Sequence, residues 1–330
     1  MDENKNGAAV KAAHPKELKH SKDNNIPLLA AIKSDLANGN NSIPDSVFIP
    51  TWSNKPDPVP AILTLGGISV LTHQNTSSII ASPGTGKSSI GEAVCAAHLN
   101  PNADCLGFEV DASSKGALFI DGERTTADVW NSFQRMCRRA GIPEGKPIER
   151  VKIAGLRSIS RVDERKKIVE ALLQEYEYSL LILDGAGDFV NDTNDITEAT
   201  ELRIWLRDLT VKYKVSILLT LHPNPNSNKP RGHTGSEAWR ESECVMLAKL
   251  AEGDIRVITT EFEHGKNRNN PPVTTAFRWS DIDGMFMSVD TSDLLSVGQS
   301  KVTAAKRNKA ELTAYKYLPQ ETALYHSELL

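Results

Sequence analysis

The sequence predicts an α/β fold, a mostly parallel twisted sheet with helices on both faces and antiparallel strands at its C-terminal edge. Three observations carry that prediction. From residue 62 onward, short apolar runs alternate with helical patterns, the signature of strands joined by crossover helices. Several of those runs end in a polar or acidic residue, as Ile120-Asp121, Leu183-Asp184 and Leu221-His222 do. After residue 221 the pattern shifts, and apolar runs follow one another with turns between them.

Taken in order, residues 1–25 are rich in Lys, Asn and Asp and predict disorder. Residues 26–36 suit a short amphipathic helix, stopped by the Asn38-Gly39-Asn40-Asn41 cluster. Residues 44–60 are proline-rich, an extended arm that either docks on a neighbouring subunit or serves as a loose linker. Core strands are expected at 78–81, 117–121, 151–154, 180–184 and 215–221, with helices at 88–99, 126–140, 162–176 and 197–212. Thr125 or Thr126 suits the N-cap of the second helix, and Gly141 its C-cap. The antiparallel edge is expected at 244–250, 255–263, 274–279 and 285–289. Residues 292–330 are charged and mildly helical. The predicted organisation is an N-terminal arm over 1–60, one folded domain over 61–291 and a tail over 292–330.

Composition excludes several classes. A chain of 330 residues can bury one sizeable core with length left for arms. Its longest apolar runs, such as 179–183 and 217–221, are far too short to span a bilayer. The polar first residues carry no signal-peptide core, so the expected location is cytoplasmic, with no membrane partner. Cys95, Cys105, Cys137 and Cys244 lack the close spacing of a zinc knuckle and read as buried thiols. A formal net charge of -4 argues against coating nucleic acid by bulk electrostatics, though a whole-chain sum hides any local basic channel.

The strongest motif is Ala81-Ser82-Pro83-Gly84-Thr85-Gly86-Lys87-Ser88, a phosphate-binding loop with Ala in place of its first Gly. It follows an apolar strand and opens a helix, which is the context the motif requires. Gly84 and Gly86 let backbone N–H groups approach phosphates, and the helix start adds its positive end. Ser82, Pro83, Thr85 and Ser89 complete the cradle for ATP. Lys87 is expected on the β- and γ-phosphates and Ser88 on Mg²⁺. Asp184, at the tip of an apolar strand, suits the metal's water shell; a turn-forming Asp before Gly185 is the plainer alternative. Glu123, just past the tip of 117–121, suits polarisation of the attacking water, with Asp121 the competing acid and a helix-initiating role the third possibility. His222 at the next strand tip suits sensing of the γ-phosphate.

Two later segments carry cations. Residues 223–236 read as a long open polar loop bearing Lys229, Arg231 and His233, enough for phosphate contacts with nucleic acid. His264-Gly265-Lys266-Asn267-Arg268 follows a strand, and an extended backbone aims Lys266 and Arg268 the same way. Such a pair suits a phosphate held by a neighbouring subunit, as an arginine finger does; a basic hairpin tip is the alternative.

These pieces, in this order, resemble the RepA-type plasmid replicative helicases within the RecA/DnaB/KaiC group of P-loop ATPases. The resemblance covers roughly 62–289. Residues 79–89 look like the family's P-loop, 118–124 like its strand ending in a catalytic Glu, 180–184 like its Walker B strand, and 216–222 like the strand ending in a sensor. Arg231 to Ser236 is similar to an Arg-Gly-Ser-Ser segment whose arginine acts across a subunit boundary, and Lys266 to Asn269 to the Lys-x-Arg-Asn piston of DnaB helicases. The resemblance implies a RecA-like core, Mg-ATP hydrolysis, a homo-oligomeric ring (a hexamer), single-stranded DNA in its channel, and replication initiator or primase proteins as partners. The segment 185–195 departs from it by being acidic, with Asp188, Asp192 and Asp195. Two other classes stay open: a nucleotide-switched scaffold without unwinding, and a P-loop kinase of a small substrate.

Overall fold

Six parallel strands carry the centre of the fold, and their sequences explain why. A computed structural model of the chain describes residues 47–225 and 227–290. The expectations for 1–25, 26–36 and 292–330 lie outside the described residues. The chain divides into two units, Met1–Pro50 and Thr51–Leu330, and of the first only 47–50 are described.

The strands are β1 (Ala61–Leu65), β2 (Ile68–Thr72), β3 (Thr76–Ala81), β4 (Phe108–Val110), β5 (Ala117–Asp121), β6 (Val151–Gly155), β7 (Leu180–Asp184), β8 (Ser216–Leu221), β9 (Cys244–Leu250), β10 (Arg256–Thr259), β11 (Lys266–Asn267), β12 (Thr274–Ser280) and β13 (Met285–Val289). The helices are α1 (Lys87–Leu99), α2 (Thr126–Ala140), α3 (Val162–Glu175), α4 (Ile196–Tyr213) and α5 (Gly232–Glu241). The large sheet has the order β13-β12-β10-β9-β3-β8-β7-β5-β6, with β11 paired beside β9. From β9 to β6 all neighbours are parallel, whereas β10, β12 and β13 continue the sheet antiparallel beyond β9. This is an α/β core, a mostly parallel sheet with helices on both faces and antiparallel strands at its C-terminal edge.

Period-two alternation sorts the core into two layers. Ile79, Phe119, Ile182, Leu218 and Met246 point to one face, where α1 and α2 cover them with Ile90, Val94 and Met136. Ile80, Leu118, Leu181, Leu219 and Val245 point to the other, under Val169 of α3, Leu206 of α4 and Ala238 of α5. Both faces are covered, so β3, β5, β7 and β8 are buried at every position rather than on one face alone.

Caps set the helix ends. Thr125 and Asp128 form a reciprocal capping box at the start of α2, and Gly141 closes it at φ +71°. Asp195 accepts from the backbone of Thr197 and Glu198, which starts α4 at Ile196.

Three expectations change. The antiparallel sheet β2-β1-β4 was not foreseen; its β1–β2 hairpin turns at Gly66 and Gly67, both at positive φ. The expected strand over 255–263 ends at Thr259, and Lys266–Asn267 forms a separate short strand beside β9. The expected open loop over 223–236 is shorter than the sequence suggested: its two described arms fold back on each other, with Asn224 N donating to Lys229 O at 2.8 Å and a bridge between Pro223 and Pro230, and α5 begins at Gly232. Of the thiols, Cys95, Cys105 and Cys244 are buried, while Cys137 is only partly so. No helix among the described residues is long and apolar enough to cross a membrane.

Candidate phosphate-binding and hydrolytic site

The parallel strands β3, β5, β7 and β8 all deliver their C-terminal ends to one edge, where open α/β sheets bind ligands. After β3 the chain turns through residues 82–86 into α1. Gly84 and Gly86 adopt φ of +79° and +90°, a region costly for any side chain. At Gly86 a Cβ would also press within 3.1 Å of the Phe277 ring. Thr85 Oγ1 donates to Ser82 O at 2.7 Å and closes the loop on itself. No side chain caps the start of α1, so its first N–H groups face outward as an anion site.

Around that helix start, five side chains converge. Lys87 Nζ lies 3.5 Å from Asp184 Oδ1, 3.8 Å from Glu123 Oε2 and 3.2 Å from His222 Nε2. Ser88 Oγ donates to Asp184 Oδ2 at 2.8 Å. Asp184 is itself held by Thr220 Oγ1 at 2.7 Å, a partner from the adjacent strand β8 that sequence reasoning missed. His222 Nε2 stands 3.2 Å from Glu123 Oε1. That nitrogen can serve one neighbour at a time: protonated it donates to Glu123, bare it accepts from Lys87. The Glu123 carboxyl is pushed down to about 2, chiefly by the His222 hydrogen bond and secondarily by the Lys87 charge, against the opposing effect of burial.

Asp121, the competing acid, is occupied elsewhere. It is buried, its Oδ1 accepts from the backbone N–H groups of Glu123 and Arg124 at 3.1 and 2.9 Å, and its Oδ2 is bound by Arg124 Nε. Asp188 is a second acid that sequence reasoning did not place here. Its carboxylate packs where a Cβ on Gly122 would collide with it, pairs with Arg165 at 3.2 Å, and is raised by burial and by the nearby Glu123 charge. The signal available was the Gly122 between two acidic positions, since only glycine leaves room for that carboxylate. The acidic segment after β7 is thus packed down as a 3-10 turn, Ala186–Phe189, with Phe189 buried against Trp205.

Arg231 borders the same edge. With Ser82, Pro83, His222, Asn224 and Asn228 it lines an open cleft of about 500 Å³. Its guanidinium makes no hydrogen bond or ion pair among the described residues. Lys229 lies exposed on the fold-back beside it.

Lys266 and Arg268 are not brought to this edge. Lys266 pairs with Val245, and Val245 stands beside Ser78, three residues before Ala81. At ~3.3 Å per residue that is roughly 10 Å short of the strand end where the phosphate loop begins. Lys266 Nζ donates to the carbonyls of Trp239 and Arg240, both at 3.3 Å, and lies 5.3 Å from the Trp239 ring centre. It caps the C-terminus of α5. Arg268 is exposed, and its guanidinium has no hydrogen bond or ion pair among the described residues. The two cations thus differ in their surroundings, Lys266 bonded to the end of α5 and Arg268 exposed.

The donor set suits a hard divalent cation shared with phosphate oxygens. Ser88 Oγ and the Asp184 carboxylate lie together beside Lys87, and among the described residues no cluster of three or more His, Cys, Asp or Glu forms a metal cage of its own. Mg²⁺ typically takes few protein ligands and completes its shell with water and phosphate.

No protein-family model matches the chain, and no curated protein matches it either. Among solved structures it is similar to a KaiC-like protein from the hyperthermophilic archaeon Pyrococcus horikoshii OT3, at 13% identity and a TM-score of 0.47, over 71% of this chain and 100% of that one.

Proposed function

We propose that this chain binds Mg-ATP at the strand tips and hydrolyses it. The observation that carries the proposal is the convergence of Lys87, Ser88, Glu123, Asp184 and His222, from three strand ends and one helix start, each within hydrogen-bonding or ion-pairing distance of another. Backbone N–H groups of 84–88 and the Lys87 ammonium hold the β- and γ-phosphates. Ser88 and Asp184 hold Mg²⁺, Asp184 in part through water, and Thr220 fixes the carboxylate. When bound, the metal neutralises charge on the phosphate oxygens. Glu123 orients the attacking water. In the present arrangement its carboxylate is engaged by His222 and Lys87, which makes it a weak base. A triphosphate competes for both partners, and releasing Glu123 from them raises its basicity where the water stands. His222, freed at Nε2, donates to the γ-phosphate and senses its presence.

The finer reading is a ring motor, a homo-oligomer (hexamer) that translocates on single-stranded DNA as a RepA-like replicative helicase, with replication initiator or primase proteins as partners. What supports it is the order of motifs and the exposed, unengaged Arg268. That guanidinium stands far from its own phosphate loop and is free for a neighbour's. Arg231 instead borders its own chain's cleft, where it faces the γ-phosphate side in cis, and Lys229 beside it supplies a contact to the DNA backbone. One observation favours the alternative of a nucleotide-switched assembly without unwinding: the segment after Asp184 is acidic, with Asp188 drawn in onto Arg165 and Asp192 and Asp195 exposed, a surface that repels a phosphate backbone. ATP turnover measured with and without single-stranded DNA, beside the mass in solution, separates the two. A motor gives a ring whose turnover rises with DNA; a switch gives an assembly whose slow turnover ignores it. A monomer without ATP turnover overturns both.

A further inference from the structure

We propose that Arg124 and Glu92 are positioning residues for Glu123, a buried tether between the turn that carries this acid and the helix that begins at the phosphate loop. The inference rests on the reading of Glu123 as the water-orienting acid.

The tether starts at Asp121. Its carboxylate accepts the backbone N–H groups of Glu123 and Arg124, which fixes the turn after β5. Its second oxygen holds Arg124 Nε, so Arg124 closes back over the turn it belongs to. From there the guanidinium runs inward: Nη1 donates to Ser132 Oγ at 2.6 Å and lies 3.8 Å from Glu92 Oε1. Glu92 is on α1, one turn after Ser88 and on the same side of the helix. Its side chain is only 2% exposed. Ser132 donates to it as well, and Arg135 grips it with Nε at 2.9 Å and Nη2 at 2.5 Å.

Two acids and two guanidinium groups thus balance in charge, in a place where an unpaired carboxylate would be costly. A hydrophobic contact would hold α1 against α2 at less cost. What the ionic network adds is direction. It fixes the Glu123 backbone relative to the helix that carries Lys87 and Ser88, and small errors in that relation lower rates strongly. Arg124 Nη2 is buried without a partner among the described residues, so the tether runs through Nε and Nη1 alone.

The test uses the full chain as wild type, Arg124→Gln, Arg124→Lys, Glu92→Gln, Glu123→Gln and the double variant Arg124→Gln/Glu123→Gln, each checked by melting. Arg124→Gln is expected to lower kcat by ~10²-fold with KM within about threefold, because positioning and not substrate binding is lost. Arg124→Lys recovers only part of that loss, since one ammonium cannot span the Asp121 and Ser132–Glu92 contacts made by Nε and Nη1, and Glu92→Gln shows a smaller loss of the same kind. In the Glu123→Gln background, Arg124→Gln adds less than about threefold, since both act through one carboxylate. Amide exchange at residues 123 and 124 in Arg124→Gln protein rises at least ~10-fold over wild type while that of β8 is unchanged. Wild-type kcat in folded Arg124→Gln protein, losses that multiply in the double variant, or unchanged exchange at 123 and 124 overturns the tether. A wild type without turnover whose exchange pattern still follows the prediction removes the hydrolytic reading and leaves the tether standing.

Discussion

The two ends of strand β3 present opposite designs. At its C-terminal end Lys87, Glu123, Asp184 and His222 face one another as a set of like and unlike charges, each partner replaceable by a phosphate or a metal. Toward its N-terminal end, across β9, Lys266 is used up by the carbonyls of α5 and the Trp239 ring, and Glu243 is bonded to Thr72 and Asn75. The same residue types do different work because of what surrounds them. Polar groups that neutralise only each other at an open strand tip are poised for a ligand; polar groups that satisfy helix ends and backbone are architecture. Arg268 breaks the symmetry of that division, being an unengaged cation on the architectural side.

The sharpest way to break the division is to change Arg268. If its guanidinium serves a neighbour's phosphate, Arg268→Ala lowers turnover by ~10³-fold or more with ATP binding nearly unchanged. Mixing it with Glu123→Gln protein restores part of the activity, because some interfaces then join an intact Glu123 to an intact Arg268. A mixture that stays inactive, in protein that sediments as a monomer with ATP, removes the trans role and the ring together.

Glu123→Gln comes next, at ~10²-fold slower turnover with Mg-ATP still bound. Asp121→Asn contrasts with it: losing the charge that Arg124 needs lowers the melting temperature, because the carboxylate is buried and bonded. A ~10²-fold loss in a stably folded Asp121→Asn protein beside wild-type turnover in Glu123→Gln would reverse the assignment. The pH dependence has a defined sign. A carboxyl lowered from 4.5 to about 2 contributes stability that is full above about 4.5 and lost as pH falls through about 2. Between pH 5 and 7 the wild type and Glu123→Gln therefore melt with the same pH slope, and a steeper slope in the wild type would place the Glu123 titration higher.

Lys266→Ala is a smaller change of the other kind. Loss of the cation at the C-terminus of α5 costs about 1 kcal/mol of stability by chemical unfolding. Turnover per folded chain stays within about threefold if the residue is architecture, and a fall like that of Arg268→Ala would return Lys266 to the site. The smallest effect is at Lys229. Its change to Ala weakens single-strand binding a few-fold and reduces the salt slope by about one unit, as removal of one phosphate contact does. An unchanged slope leaves the fold-back as a connection.

What was legible in the sequence follows from locality. The phosphate loop, the strands ending in Asp121, Asp184 and His222, and the capped helix α2 each declare themselves within a few residues, by periodicity, by glycine and by caps. The choice of Glu123 over Asp121 was open in the sequence, because both end the same strand; only the partners that each acquires from elsewhere separate them. Thr220 was invisible for a similar reason, being a β-branched residue in a strand until Asp184 is placed beside it. The α5 helix escaped notice because Gly232 and Gly235 weaken its local propensity. It is held by distant groups, Lys266 at its end and Arg203 on Glu237 at 3.0 Å. The β1–β2 hairpin, by contrast, was available in the Gly66-Gly67 pair between apolar runs.

The central claim is that the cluster at the strand tips is a phosphate site organised by Lys87. Calorimetric titration of Mg-ATP into wild-type and Lys87→Ala protein tests it most directly, because it does not depend on turnover, ring formation or DNA. The account predicts one ATP per wild-type chain and an affinity at least ~10²-fold weaker in Lys87→Ala protein that melts like the wild type, the scale of a lost charge-assisted contact in a confined site. Matching isotherms from the two folded proteins, or no ATP binding by the wild type, would contradict it.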